Sequence, residues 1–439
     1  MTAPTRKTAV ALAAAVASLA LCATACGGSS GTSDSASAGK PVQLTYWTWT
    51  KNAQQVVDAF NKTHQDVHVK YVLEAGGAPG YAKVMAAVKA GNGPDVFNVE
   101  YSELPQFVSQ GYVQDISSYV GSSVTSQFTP GAVSLTKLGG KNWAVPIDIE
   151  PEMLYYRKDL FAKYHLTVPT TWAQFRSTAQ ALKKADPKAV LTNFNTDDPT
   201  VAALAAQAGA RWFGTSGDTW KVDFDDTGTR KVAAYWQGLI DDHLVSALPS
   251  VSPSVQANQA GGVQVALIDP PYQAAYNPST LPKQSGDWAV APLPTWDGTA
   301  STGALGGSTS AVSKNSKHAA AAAQFATWIA TDAAAVKARV AGGASSALPA
   351  VPKLVDVAQQ AFDSSYYGDQ DLYTAFKAAA ASLKTDWVWG PTMVSTTSHL
   401  TDGLNKVADG GTVAAALKSA QSKTAADMKA AGLTVSSAN

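Results

Sequence analysis

Two carboxylates, Asp148 and Glu150, stand two residues apart in the stretch "PIDIEPE". In an extended strand, alternate side chains point to the same side, roughly 6.5–7 Å apart. Such a pair can accept hydrogen bonds from the hydroxyl groups of a ligand. It can also supply the two acids of a hydrolase, which need a separation of about 5–10 Å. The spacing alone leaves both kinds of chemistry open.

Other patterns that could hold a metal or a nucleophile are weak. His64 and His68 have the spacing of a metal-binding pair, but they span a helix end and a strand start. The stretch "DFDDTG" is similar to a calcium loop, yet Thr227 stands at a ligand position and no Glu closes the loop, so we interpret it as a polar turn before a helix. The sequence has no Gly-rich phosphate loop, no nucleophile elbow and no Cys-x-x-Cys pair. We therefore expect no bound metal and no cofactor.

Composition and charge limit the class of protein further. The chain has 439 residues, of which 46% are hydrophobic, enough for two to three domains with a large packed core. Its 33 basic and 33 acidic residues cancel. A near-neutral surface offers no electrostatic attraction for a polyanion, so we expect no nucleic-acid partner.

The N-terminal residues have the plan of an export signal. Arg6 and Lys7 precede an Ala-rich apolar run that is too weakly hydrophobic for a membrane span, so residues 1–25 are a predicted signal peptide. Cys26 follows "ATA" as in a lipobox, although Ala23 stands where that motif usually has Leu. We predict that Cys26 is the lipid-bearing first residue of the mature chain. Residues 26–40 would then be a flexible tether spanning roughly 20 Å. The alternative is a secreted protein cut near residue 25.

Strand and helix patterns alternate after the tether. The stretches "VQLTYW", "VHVKYVLE" and "PDVFNV" predict strands, and "YAKVMAAVKAGNG" predicts a helix that ends at Gly91. A second block after Pro151 has strand patterns at "MLYYR", "VQVALID" and "DWAVAPLP" and a capping-box helix start at Thr171. This order predicts α/β architecture with parallel strands. From Lys314 the pattern is mostly helical and includes a long helix over residues 414–431.

Several of these segments together carry a family resemblance. In chain order they are "GNGPDVFNVE", "FVSQGYVQDIS", "WAVPIDIEPEMLYYRKDLFAKYHLTVPTTWAQF", "GALGGSTSAVSKNSKHAAAAAQFATWIAT" and "ALPA". From about Pro41 onward the chain resembles an extracellular solute-binding protein of an ABC importer, in the carbohydrate-binding group that includes maltose-binding protein.

The resemblance implies a type II, periplasmic-binding-protein-like fold, with two α/β lobes around a cleft and three crossings between the lobes. It places the crossings near residues 149–155, 303–310 and 341–348. The implied N-terminal lobe is 41–152 plus 305–342, and the implied C-terminal lobe is 153–304 plus 343–439.

A sugar in such a cleft presents apolar C–H faces to aromatic rings and hydroxyl groups to carboxylates and amides. Ligands of open parallel sheets lie beyond the carboxyl ends of the strands, so we expect the binding residues at strand ends and crossings. Trp49, Trp387 and Trp389 stand at the ends of predicted elements and are the predicted stacking rings, with a place in the core as the alternative. We assign Trp143, Trp172, Trp236 and Trp328 to the core. The predicted ligand-binding residues are Trp49, Glu74, Glu100, Tyr101, Asp148, Glu150, Trp212, Asp269, Tyr272, Gly306, Gly307, Trp387 and Trp389.

Three functional classes compete. The first is a sugar-binding component of an ABC importer that delivers its ligand to the transmembrane subunits of a permease. The second is the same fold with another solute, such as a polyamine, a phosphate ester or a metal chelate. The third is an exported glycoside hydrolase.

We favour the first class. The candidate residues include no Arg or Lys, which favours a neutral ligand, and the Asp148–Glu150 pair lies at a crossing that must flex, which disfavours catalysis. We expect a monomeric, non-enzymatic protein held by lipid on the extracellular face of the membrane.

Overall fold

The computed structural model of the protein describes residues 40–197, 199–341, 343, 345–346, 348–368 and 370–437. The predicted signal peptide, Cys26 and the tether up to residue 39 lie outside these residues. In the described part of the chain, no helix combines the length and the apolar character needed to cross a membrane.

The strands begin where the sequence alternates apolar and polar residues or runs apolar. They are Val42–Thr48 (β1), Val67–Leu73 (β2), Val96–Glu100 (β3), Lys137–Leu138 (β4), Lys141–Asn142 (β5), Ala144–Pro146 (β6), Asp148–Ile149 (β7), Met153–Arg157 (β8), Asn193–Asn195 (β9), Phe213–Ser216 (β10), Thr219–Val222 (β11), Ser246–Leu248 (β12), Ala266–Asp269 (β13), Trp288–Pro292 (β14), Ser308–Val312 (β15), Leu348–Pro349 (β16) and Thr434–Ser437 (β17).

The helices connect these strands. They are Gln54–Thr63 (α1), Gly77–Lys89 (α2), Leu104–Ser109 (α3), Ser122–Thr125 (α4), Pro130–Thr136 (α5), Lys158–Lys163 (α6), Trp172–Ala185 (α7), Thr200–Gln207 (α8), Thr227–Asp241 (α9), Pro253–Ala260 (α10), Gln273–Thr280 (α11), Ala319–Thr331 (α12), Ala333–Ala341 (α13), Val355–Ala361 (α14), Leu372–Ala381 (α15), Met393–Leu404 (α16) and Val413–Ala430 (α17).

The sheet of the first lobe has the strand order β2-β1-β3-β15-β6. Strands β1, β2 and β3 are parallel, as the sequence predicts, but β15 is antiparallel to both β3 and β6. Ser308, the first residue of β15, pairs with Glu100, the last residue of β3. Strand β15 therefore enters the sheet at the carboxyl edge of β3 and has to run in the opposite direction, so the predicted parallel sheet is in fact mixed.

The sheet of the second lobe is built around β8, which is antiparallel to β13 on one side and to β14 on the other. The parallel pair β9 and β12 extends this sheet, because the Ala266 N–H donates to the carbonyl oxygen of Leu191 just before β9 (2.8 Å). The carboxyl ends of β9, β12 and β13 consequently lie at one edge. A smaller sheet, β10-β11-β17, includes a C-terminal strand that the sequence did not predict.

Three separate segments of the chain meet between the two main sheets. Strand β7 pairs with β16 in antiparallel fashion. The Leu305 N–H donates to the carbonyl oxygen of Glu150 (3.0 Å), and the Ile147 N–H donates to that of Ser308 (2.9 Å). The backbone around 147–152, 303–308 and 348–350 thus forms one hydrogen-bonded junction. The residue boundaries proposed above for the two lobes remain predictions.

Local sequence signals explain the helix starts. The Thr171 hydroxyl accepts from the Gln174 N–H (3.2 Å), as the capping box predicts, although the Gln174 side chain accepts from the Thr170 N–H (2.9 Å) instead of the Thr171 N–H. Asp226 caps α9 by accepting from the Thr229 N–H (2.7 Å), so "DFDDTG" is the turn before a helix.

Two of the tryptophans assigned to the core are buried there. Trp172 and Trp236 are each 1% exposed, as predicted.

The junction leaves no room for a side chain at Gly303. A Cβ atom there would lie 2.0 Å from the carbonyl oxygen of Ala203 in α8. We predict that Gly303→Ala lowers the free energy of unfolding by about 3 kcal/mol, at the upper end of typical overpacking costs. Gly214→Ala is the matched control, because a Cβ there meets nothing within 4 Å. Urea unfolding should separate the two variants, and equal midpoints would contradict the packing of this junction.

Candidate functional site

A cavity of about 510 Å³ lies where the carboxyl ends of the first-lobe strands face helix α11 of the second lobe. Seven of the predicted residues line it, together with residues that the sequence did not single out. The seven are Trp49, Glu100, Asp148, Glu150, Tyr272, Gly306 and Gly307. We call this cavity the cleft.

Aromatic rings approach the cleft from both lobes. Trp49 follows β1, is half-buried and packs edge-on against Tyr81, with ring centroids 6.0 Å apart. On the opposite side, Tyr272 and Tyr276 stand one turn apart at the start of α11, with centroids 5.8 Å apart. Tyr276 is 45% exposed. The cleft therefore offers aromatic surface on two walls.

Glu100, at the carboxyl end of β3, is held by the helix beside it. The Tyr81 hydroxyl donates to Glu100 Oε2 (2.8 Å), and Tyr81 is only 3% exposed. Glu100 itself is partly exposed. A buried hydroxyl therefore orients a carboxylate that borders the cleft.

Asp148 is engaged within the protein. Its Oδ1 accepts from the Ser308 N–H (2.6 Å), and both carboxylate oxygens accept from the Ser308 hydroxyl (3.0 and 2.9 Å). Burial raises the pKa of Asp148, while the positive charge of Arg339 and the bonds from Ser308 act in the opposite direction. Asp148 lines the cleft but holds two crossing segments together. Its predicted role as an acceptor for ligand hydroxyl groups remains a prediction.

Glu150 is 3% exposed, and its Oε2 accepts from the Tyr272 N–H (3.2 Å). Burial, followed by the neighbouring charge of Asp148, raises the pKa of Glu150 well above its usual range. Burial therefore favours the neutral form of this carboxyl group. A protonated carboxyl can donate a hydrogen bond as well as accept one.

A glycine turn forms the floor of the cleft. Gly306 and Gly307 have φ values of +79° and +86°, which favour glycine. A Cβ on Gly307 would lie 2.9 Å from the ring of Tyr101. Tyr101 is 2% exposed and donates to the carbonyl oxygen of Asp148 (3.0 Å). Tyr101 therefore supports the turn from beneath and does not line the cleft.

Two further predicted residues do not line the cleft. Glu74 forms an ion pair with Lys83 (2.5 Å). Trp212 is fully buried, and its indole N–H donates to the Thr229 hydroxyl (2.8 Å). Trp212 packs against Phe224 in the second lobe, and its predicted role in ligand binding remains a prediction.

Trp387 and Trp389 are buried next to the cleft. They are 9% and 6% exposed, with ring centroids 5.4 Å apart. Both line a narrow cavity of about 40 Å³ that Glu150 and Gly306 also line. The two rings thus lie close to the carboxyl group of Glu150, but little of their surface is exposed. Their role as stacking rings remains a prediction. Asp269 lines a different cavity, in the second lobe.

The sequence analysis missed several residues of the cleft. Tyr276 lies four residues after Tyr272, a spacing that places both on one helix face and could have identified it. Lys51, two residues after Trp49, also lines the cleft, although the candidate list contained no basic residue. Across the described residues, no group of three or more His, Cys, Asp or Glu side chains is arranged to hold a metal ion.

A second acidic group lies behind Glu100. Glu103 is 4% exposed, and burial together with the charge of Glu100 raises its pKa to about 8. Glu103 is therefore mostly protonated at neutral pH, which limits the repulsion between the two carboxyl groups.

Comparison with known proteins is consistent with this two-lobed binding architecture. The sequence model of the bacterial extracellular solute-binding protein family matches residues 46–336 of this chain. The chain belongs to this family.

An arabinooligosaccharide-binding protein of Bacillus subtilis is 23% identical over 64% of this chain and 68% of its own length. The galacto-N-biose-/lacto-N-biose I-binding protein of an ABC transporter from Bifidobacterium longum, solved with lacto-N-biose, is 28% identical, with a TM-score of 0.80 over 91% of this chain and 100% of that chain. A binding protein from B. animalis subsp. lactis, solved with beta-1,6-galactobiose, is 24% identical, with a TM-score of 0.79 over 90% of this chain and 99% of that chain. The fold is the two-lobed type II fold with three crossings that the resemblance implied.

The pKa of Glu103 predicts a pH dependence of stability. Because the pKa in the folded protein, about 8, exceeds the ordinary value of 4.5, the folded state binds this proton more tightly than the unfolded state. The protonated Glu103 contributes fully to the free energy of unfolding at acidic pH. This contribution is lost as the pH rises towards 8, by on the order of 1 kcal/mol per pH unit. We predict that Glu103→Gln flattens the decline in the free energy of unfolding between pH 5 and pH 8, measured by urea titration. Parallel curves for the two proteins would contradict a buried, protonated Glu103.

Proposed function

We propose that this protein captures a neutral sugar or oligosaccharide in the cleft and delivers it to an ABC permease. The observation that carries the proposal is the lining of one cavity by aromatic rings from both lobes, Trp49, Tyr272 and Tyr276, with the carboxyl groups of Glu100 and Glu150 between them. The cavity volume, about 510 Å³, falls within the usual range for small-molecule sites.

The chemistry of the lining suits a polyhydroxylated ring. Aromatic faces pack against the C–H surface of a sugar, and the polar groups fix its orientation. Glu100 can accept hydrogen bonds from hydroxyl groups, and the neutral form of Glu150, which burial favours, can donate to a hydroxyl or ring oxygen. The turn at Gly306 and Gly307 lets the backbone approach the ligand closely.

The ligands of related binding proteins support the same ligand class. They include arabinooligosaccharide-binding, maltodextrin-binding and mannitol-binding proteins. All of these ligands are neutral and rich in hydroxyl groups.

Charged ligands fit the cleft less well. Among its described lining residues Lys51 is the one basic side chain, against three acidic ones, so a phosphate ester would meet little positive charge. A polyamine would need free, ionised carboxylates, but Asp148 accepts hydrogen bonds from Ser308, and Glu150 is buried and accepts from the Tyr272 N–H. A neutral ligand satisfies the lining without an unpaired charge.

The same two carboxyl groups argue against hydrolysis. Retaining and inverting glycosidases need two acids free to reach the scissile bond. Asp148 is bonded to Ser308 and Glu150 to the backbone of Tyr272, so both brace the junction. We infer that the protein binds its ligand intact, as a monomer, without enzymatic activity.

We also propose that Cys26 carries a lipid that holds the protein at the outer face of the membrane. The support is the small-residue triplet before the cysteine and the Gly/Ser-rich segment after it. A related sequence from Streptomyces antibioticus, 25% identical over 43% of this chain, is described as a lipoprotein.

The ligand proposal predicts a role for Trp49 in affinity. Thermal-shift screening of neutral mono- and oligosaccharides identifies a sugar that raises the melting temperature. We predict that Trp49→Ala weakens binding of that sugar by roughly 1–3 kcal/mol, because a stacking ring is removed, with little change in stability. Trp220→Ala is the control, since Trp220 is also partly buried but lies in the β10–β11 hairpin. Calorimetric affinities that fall equally in both variants, or in neither, would count against the cleft as the site.

The anchor proposal predicts the location of a Cys26→Ala variant. Without the thiol no lipid can be attached, so the variant should appear in the medium while the wild type stays with the membrane. Cell fractionation and immunoblotting measure the distribution. A variant that remains as membrane-bound as the wild type would show that Cys26 is not the anchor.

A further inference from the structure

A second cavity, of about 450 Å³, lies within the second lobe. Its walls come from residues next to the carboxyl ends of β9, β12 and β13 and from helices α10 and α11. These strand ends lie at one edge of the sheet, which is where ligands of α/β folds bind. We call this cavity the second-lobe chamber. Two of its lining residues, Asp269 and Tyr272, are among the ligand-binding residues predicted from the sequence, which did not distinguish this cavity from the cleft.

The lining of the chamber is rich in side-chain amides. Asn193, Asn195, Gln256, Gln259, Gln264 and Gln273 all line it, and none of its described lining residues is Lys or Arg. An amide group donates and accepts at once, which suits hydroxyl and acetamido groups better than ions. The absence of basic residues from this lining disfavours phosphate or carboxylate ligands. The chamber therefore has the chemistry of a site for a neutral, polar ligand.

The inner part of this lining is pre-organised. The Asn193 amide donates to Asn195 Oδ1 (2.8 Å) and to the carbonyl oxygen of Leu248 (2.9 Å), and it accepts from the Ser246 hydroxyl (2.7 Å). These bonds fix the floor of the chamber. Gln256 is exposed and Gln259 half-exposed on α10, so their amide groups can turn towards a ligand.

The chamber adjoins the cleft. Tyr272 and Tyr276 line both cavities, and Tyr276 is 45% exposed. A half-exposed ring at the boundary is a platform on which a sugar unit can stack while neighbouring units extend to either side. One ligand can therefore occupy both cavities.

We propose that the ligand is an oligosaccharide longer than a disaccharide, with one end in the cleft and the other in the second-lobe chamber. This proposal rests on the proposed function. Each cavity alone has the volume of a complete small-molecule site, so a monosaccharide or disaccharide fills only one of them. The amides of α10 then determine preference for chain length, and Trp49 contributes to the binding of every length.

Calorimetric titration with sugars of increasing length tests this proposal. The probes are arabino-oligosaccharides and malto-oligosaccharides of two to six units. The variant Gln256→Ala/Gln259→Ala removes two amides from the surface of α10, where alanine preserves the helix. Gln360→Ala, an exposed glutamine on α14 outside both cavities, is the matched control. We expect wild-type affinity to rise beyond the disaccharide. The double variant should lose about tenfold for the longer sugars, the equivalent of roughly 1.4 kcal/mol, and retain the disaccharide affinity.

The other outcomes are distinguishable. If sugars bind and Trp49→Ala weakens them, but the double variant binds every length like the wild type, the chamber proposal is overturned and the proposed function stands. A stoichiometry of two sugars per chain would show two separate sites and overturn the spanning arrangement. If the double variant lost the same affinity for sugars of every length, the disaccharide would bind in the chamber, and the spanning arrangement would also be overturned. If no sugar of either series binds, both proposals fail together.

Discussion

The buried carboxylate of Asp148 ties together the segments on which the two lobes depend. It accepts hydrogen bonds from the N–H and the hydroxyl group of Ser308, across 160 residues of sequence, and so joins the first crossing to the second. Burying a carboxylate without a partner is unfavourable to the free energy of folding. Arg339, 5% exposed and without a hydrogen-bond partner among the described residues, offsets this cost by its charge. A cavity of about 30 Å³ that both side chains line is large enough for a water molecule to bridge them.

The geometry of the cleft follows from this junction. Ser308 is the first residue of β15. Its hydrogen bonds to Asp148 therefore hold the preceding turn at Gly306 and Gly307 in place, and they position β15 antiparallel to β3 beside Glu100. Tyr101 packs under the turn, and Glu150 reaches the start of α11 through the Tyr272 N–H. Few side chains thus connect the sheet of one lobe to the ligand-facing helix of the other. Outside the crossings, α16 adds a contact between the lobes, because the Val394 N–H donates to Gln106 Oε1 in α3 (3.0 Å).

Much of this architecture could be predicted from the sequence, because strand and helix patterns act locally. The alternation in "VQLTYW" and "VHVKYVLE" correctly predicted β1 and β2, and the resemblance correctly predicted the two-lobed type II fold. The antiparallel entry of β15 was missed, because it depends on a partner strand that lies more than 200 residues away. The burial of Trp212 was missed for a similar reason. Phe224 and Trp387 pack against this ring, and Trp387 is distant from it in the sequence. The upward shift in the pKa of Glu150 also required the structure, because it comes from burial, which the spacing of the two acids does not show.

A crystal structure of the protein with a neutral oligosaccharide that raises its melting temperature tests the central claim most directly. The account predicts a sugar ring against Trp49, with hydroxyl groups hydrogen-bonded to Glu100 and Glu150 and the chain continuing past Tyr276. It also predicts that Asp148 keeps its bonds to Ser308. Sugar density located away from the cleft, or an Asp148 that releases Ser308 to bind the ligand, would contradict it.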